Sequence, residues 1–135
     1  MKSETKDFIK QWLIKANEDL LVVDKLTEDD IVATSSICFH CQQASEKFLK
    51  SFLIANDFDI KKTHNIEYLL AECSDLDADF KEIDPKELSD FGVDARYPGD
   101  MYIPDKKETL FYKKLAYNIK ELVEPKVKYI IGEDS

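Results

Sequence analysis

Glycine is scarce in this chain, at 3 residues in 135, and neither G-x-x-x-x-G-K nor G-x-G-x-x-G occurs, so no glycine-rich loop cradles a phosphate. No window approaches the ~18 to 20 consecutive apolar residues of a membrane span. The first ten residues hold no apolar run of the signal-peptide kind, so the chain reads as cytoplasmic. The cysteines are three, at 38, 41 and 73, an odd number that fits reduced thiols better than a disulfide framework. Arginine is almost absent: 18 lysines stand against the single Arg96. A planar guanidinium kept at one position is suited to what lysine does poorly, the bidentate grip on a carboxylate or phosphate.

What the chain does have is helix-leaning globular composition. Apolar residues make up 44% and charged residues 35%, which is too apolar for disorder. Lys and Glu richness of this kind is seen in thermophile proteins. A chain of 135 residues makes one domain, 1–135, with enough length to bury a core without staples. The net charge of −9 predicts no strong attraction to a nucleic-acid backbone. The charge is uneven, with eleven acids and three bases from Glu67 to Asp100, but seven lysines and four acids from Asp105 to Ile131. An anion site would therefore favour the C-terminal helix and its neighbours.

Apolar spacing of three and four predicts the helices. The first runs from about Glu4 to Leu26, with Phe8, Trp12, Ala16, Leu20 and Val23 as its inner stripe, widened by Ile9, Leu13 and Leu21. The second runs from Ile31 or Ala33 to Asn56, with Ile37, Cys41, Ala44, Phe48 and Phe52 inward and Gln43, Lys47 and Lys50 on the other face. Thr63 is a plausible N-cap for a short helix carrying Ile66, Leu69 and Leu70, and Pro85 opens another through Phe91. The last begins near Asp105, has Phe111, Leu115, Ile119, Leu122 and Val123 as its apolar surface, and is kinked or ended by Pro125. These elements predict an all-α, antiparallel up-and-down bundle of four to five helices. Phe39, Phe111 and Tyr112 are expected on its outer face, as a surface for a homodimer.

Several patterns carry chemistry in other proteins and are weighed here against simpler roles. Cys38-x-x-Cys41 lies inside a helix with no strand before it and no second ligand pair, which fits core thiols better than a redox or zinc site. Asp75-x-Asp77-x-Asp79 opens like a calcium loop, but Phe80 and Lys86 stand where glycine and glutamate are needed, so a solvated turn is expected and no metal. His40 sits at the edge of the core stripe, either packed or facing a ligand groove, and His64 is placed for local capping. The richest candidate is the long loop from Gly92 to Pro104. There Arg96 offers a charged fork, and Tyr97 and Tyr102 offer stacking faces and hydroxyls, a set able to hold a nucleotide's phosphate and base. The same loop could equally be structural, with Arg96 paired to Asp94 or Asp100.

Trp12-x3-Ala16-x2-Asp19-Leu20, the stretch Cys38 to Leu53, Thr63-His64-Asn65 before Leu69, and Ala95-Arg96-Tyr97-Pro98 together resemble a HEPN domain over most of the chain. The resemblance implies an antiparallel helical bundle that dimerises. Such modules are commonly encoded beside a minimal nucleotidyltransferase, as halves of toxin–antitoxin-type pairs. One branch is a metal-independent ribonuclease, with an arginine followed after four to six residues by an acid–base histidine. Counted from Arg96, that histidine would fall at 101 to 103, where this chain has Met101, Tyr102 and Ile103. A tyrosine with the ordinary pKa of about 10 is a poor base at neutral pH. The reading is a non-catalytic module without a cofactor, binding a nucleotide, a nucleotidyltransferase partner or both. Arg96 would take the phosphate and Tyr97 the base or sugar, with Tyr102 beside them and His40 as a hydrogen-bonding wall. The alternatives are a ribonuclease with a rearranged site and an adaptor docking through its acidic middle.

Overall fold

The computed structural model describes residues 1–92 and 102–133. Helix α1 spans Ser3–Leu26, α2 Thr34–Ala55, α3 Ile66–Leu76 and α4 Lys106–Ile131, with two short 3-10 turns, Ala78–Glu82 and Leu88–Phe91, between α3 and α4. No strand occurs among the described residues, so the chain is an all-α bundle, as the periodicity predicts. None of these helices is long and apolar enough to cross a membrane.

Helix α2 is the axis of the molecule: α1, α3 and α4 all pack on it, whereas the backbones of α1 and α4 stay farther apart and are bridged by long side chains. Asp19 reaches both His40 and Lys47, and Trp12 lies under Lys50, so α1 runs antiparallel to α2. Asn17 bonds Glu124, Asp24 bonds Tyr117 and Thr27 bonds Lys113, so α1 is antiparallel to α4 as well. Helices α2 and α4 therefore point the same way. The long return between them is made by residues 56–65, α3 and the two 3-10 turns, which place Phe58, Ile60, Phe80, Leu88 and Phe91 against the core.

Position in this arrangement refines the sequence reading. On α1 the buried line is Ile9, Leu13, Ala16, Leu20 and Val23; Phe8 and Leu21 are exposed and Trp12 is half-buried. The apolar arc was broad enough that only the neighbours could fix its centre. On α2 the face expected to be polar and outward is largely enclosed, and Lys50 is buried. On α4, Phe111 is exposed but Tyr112 is buried, packed edge-on against Phe91 at 5.3 Å, so Tyr112 does not belong to an outer surface.

Local chemistry sets the ends. Asn65, not Thr63, caps α3, with its side chain accepting from Tyr68 N at 2.7 Å, while Thr63 Oγ1 accepts from Asn65 N at 3.1 Å. The segment opened by Pro85 forms only the 3-10 turn Leu88–Phe91. Asp105 caps α4 at 2.8 Å, and Gly132 ends it at φ 82°, a left-handed value that glycine adopts without a Cβ penalty. Pro125 neither ends nor precedes a break: α4 continues through it to Ile131, with the ring on the exposed side. The acidic turn is not free in solvent either, because Lys126 Nζ clasps Asp77 and Asp79, each at 2.8 Å, and holds the Asp77 carboxyl below its usual range.

Phe48 is wholly buried at the centre of α2. Phe48→Ala should lower unfolding free energy by about 3 to 5 kcal/mol, read as a fall in the urea midpoint at unchanged slope.

Candidate functional site

Burial of α2 leaves its polar side chains in need of partners, and two carboxylates meet that need in the same way. Glu46 is only 4% exposed. One of its oxygens holds Lys50 Nζ at 2.9 Å, and the other holds His64 Nδ1 at 2.8 Å. Asp19 of α1 is built alike, with Lys47 Nζ at 2.6 Å on one oxygen and His40 Nδ1 at 2.9 Å on the other. Both histidines of the chain are thus fixed through Nδ1 to a buried carboxylate that a lysine also neutralises. Such a contact selects the tautomer in which neutral imidazole carries its proton on Nδ1 and leaves Nε2 as an acceptor.

The two histidines differ in access. His40 keeps 27% of its side chain exposed, but His64 keeps 69%. Exposed ion pairs contribute little to stability, so binding an exposed ring to a buried carboxylate orients the ring more than it holds the fold. Gln42 completes the cluster: its Nε2 donates to the His64 carbonyl at 2.9 Å and, at 3.3 Å, to Glu46 Oε1. Gln43 Nε2 in turn donates to Gln42 Oε1 at 2.7 Å. Gly92 lies against the same carboxamide, where a Cβ would meet Gln42 Nε2 at 3.0 Å, so position 92 has little room for a side chain. The polar strip on α2 therefore reaches Gly92.

Among the site residues expected from sequence, His40 is half-buried and its ring nitrogen pairs with Asp19. Tyr102 donates its hydroxyl to Glu108 at 2.5 Å, and that bond pushes its pKa up to about 12. It lines a cleft of about 680 Å³ of mixed charge, with Glu87, Asp105 and Glu108 alongside Lys86 and Lys107. Arg96 and Tyr97 lie outside the described residues. Glu46 and Gln42 were not singled out from the sequence, and His64 was read only as a local cap; the available signals were the Glu46–Lys50 spacing of four within an apolar helix and a histidine just before Asn65. His64 caps nothing, since Asn65 fills that place.

The cysteines are core. All three are free and buried. Burial pushes the Cys38 thiol up to about 11 and Cys73 up to about 12, and raises Cys41 as well, the opposite of an activated thiolate. No group of three or more metal-ligating side chains occurs among the described residues.

Against known proteins, a family model described as HEPN domain matches residues 9–127. Neither the curated proteins nor the solved structures gave a match.

Two outcomes test this geometry. Glu46→Ala strands a buried lysine and should cost about 3 to 5 kcal/mol of stability, whereas His64→Ala should stay within about 1 kcal/mol, both by urea denaturation. The thiols bear on alkaline stability. Their folded values lie above the ordinary 9.0, so the folded chain holds these protons more tightly than the unfolded one. That contribution is full below about pH 9 and declines as pH rises through 11 to 12. The urea midpoint should be indifferent to the thiols from pH 7 to about 8.5 and fall beyond, and a Cys73→Ala variant should show a shallower fall.

Proposed function

The chain belongs to the HEPN domain family, and on that premise we propose that it is a nucleotide-binding helical module, itself non-catalytic, that works as a homodimer with a minimal nucleotidyltransferase partner in a toxin–antitoxin-type pair. The observation that carries this reading is the oriented polar strip on α2, where Gln42 stands next to Gly92 and donates to the carbonyl of the Glu46-held His64. Arg96 follows Gly92 closely in sequence and is the only guanidinium in the chain. In this reading Arg96 takes a phosphate bidentately, Tyr97 packs on base or sugar, and His64 adds a hydrogen bond from Nε2 when protonated. The 93–101 segment carries Asp94 and Asp100 as well, so a site there relies on the fork of Arg96 and not on a general positive field.

A second reading is favoured by one specific feature. A histidine held through Nδ1 by a buried carboxylate and open at Nε2 is the arrangement of an acid–base imidazole. With Arg96 on the scissile phosphate, His64 would supply the group missing at positions 101 to 103, giving a ribonuclease with a rearranged site. His40, tied to Asp19 and less open, is the poorer candidate for that role.

Calorimetric titration with ATP, GTP, UTP and CTP tests the first reading. A saturable step should be present in the wild type and missing in Arg96→Ala at an unchanged melting temperature. No such step with any of the four ends the reading, and unfolding of the variant would make Arg96 structural. The second reading expects cleavage of single-stranded RNA in EDTA that both His64→Ala and Arg96→Ala abolish; intact RNA across a broad panel rules it out.

A further inference from the structure

Clefts open on the described surface between α1 and α2 beside Trp12 and Lys47, next to Tyr102, and between α1 and α4. The last, of about 490 Å³, lies where α1 and α4 are bridged by long side chains, and the buried Leu13 and Ile131 line it. Its α1 rim is apolar and open. Ile14 and Leu21 on that rim are 59% and 56% exposed. They stand seven residues apart, two turns of one helix face and roughly 10 Å along the axis. A single exposed apolar side chain is ordinary on a surface. Two at a seven-residue spacing form the kind of stripe along which one helix pairs with another.

The charges beside the stripe indicate what covers it. Lys10, Asn17 and Asp24 form the row on the α4 side, where Asn17 bonds Glu124 and Asp24 bonds Tyr117. Gln11, Glu18 and Lys25 form the row on the other side. In the first row a cation stands one turn before Ile14 and an anion one turn after Leu21. Opposite signs at the two ends make that row complementary to itself when reversed. Against α1 of a second copy, antiparallel about a two-fold axis between Asn17 and Glu18, Ile14 meets the second copy's Leu21 and Leu21 meets its Ile14. Lys10 then faces the second copy's Asp24, twice by symmetry. A parallel pairing puts Lys10 on Lys10 and Asp24 on Asp24, which repel. The two end residues have room for these contacts: their side chains stay 38% and 43% exposed beside Glu133 and Tyr117. Glu18 falls beside the axis near its own counterpart, and Lys15, its partner at 3.5 Å, offsets that repulsion.

We propose that the Ile14–Leu21 stripe is the docking surface for a second copy of this chain, α1 against α1 and antiparallel, with the Lys10–Asp24 pairs fixing the direction. The proposal rests on the homodimer of the reading above and assigns that dimer its face.

Sedimentation velocity of the purified full chain over a range of concentrations reads the dimer directly. The dimer dissociation constant should rise at least about tenfold in Ile14→Asp and in Leu21→Asp, with the helical circular-dichroism signal unchanged because both positions are exposed. Lys10→Glu should weaken the dimer, and Lys10→Glu combined with Asp24→Lys should recover it, which loss of a merely structural contact does not do. Oxidation with diamide gives an independent reading, since the three native cysteines are buried. Glu18→Cys, beside the axis, should be trapped as a covalent dimer, and Tyr129→Cys, 73% exposed on α4, should not. A dimer that both aspartate variants leave intact overturns the α1 face while the homodimer reading stands on another surface. No recovery in the charge-swapped variant, or no preferential trapping of Glu18→Cys, overturns the antiparallel pairing in the same way. A chain that stays monomeric at every concentration ends the homodimer reading itself, and this proposal with it.

Discussion

Enclosure of α2 is the constraint on which the rest of the molecule depends. A helix packed by α1, α3 and α4 on different sides has little solvent face, yet this one carries Gln42, Glu46, Lys47 and Lys50 within its central turns. Charge taken out of water is costly unless it is paired and hydrogen-bonded. The fold meets that cost at Glu46 by placing Lys50 one turn along the same helix and His64 in the loop before α3. Asp19 meets it from across the α1–α2 interface with Lys47 and His40. Apolar residues of similar size would often serve stability equally well at such positions, so these buried charges are weak evidence of stabilisation by themselves.

The consequence is a set of buried polar pairings linked through side chains of α2. Through Lys50 the Glu46 cluster touches Trp12, with Lys50 Nζ 5.6 Å from the indole centroid. Through Lys47 the Asp19 cluster reaches the wall of the cleft that Trp12 lines. Through Gln42 the Glu46 cluster reaches Gly92 and the start of the segment that carries Arg96. Features that lie far apart in sequence, Trp12 of α1 and Gly92, are thus both in contact with polar side chains of α2.

The seam between α1 and α4 works differently. These helices meet through polar contacts in place of an apolar interface: Lys120 Nζ to Asn17 Oδ1 at 2.7 Å, Asn17 to Glu124 at 2.8 Å, and the Tyr117 hydroxyl to Asp24 at 2.7 Å. Burial and the Asp24 bond lift Tyr117 up to about 12, so it stays a hydrogen-bond donor across the ordinary pH range. Long polar side chains set the spacing and direction of the two helices while α2 supplies the apolar contact each requires.

The sequence by itself determined the helices. A period of three and four residues is a property of the chain, and it placed α1, α2 and α4 to within a few residues before any packing was known. It also indicated that the thiols would be core, because the ligand or redox context they would need is missing at the required spacings, and all three are buried. Only the tertiary structure decided which arc of α1 turned inward, leaving Phe8 out and Ile9 in, since a wide apolar stripe fits several rotations and the neighbours choose among them. It decided that Lys50 is buried and that Pro125 is carried inside α4. Above all it decided the pairing of His64 with Glu46, 18 positions apart along the chain. Helical periodicity reports which residues share a face of one element, but it holds no information on which loop folds back onto that face, and the candidate site is made of such meetings.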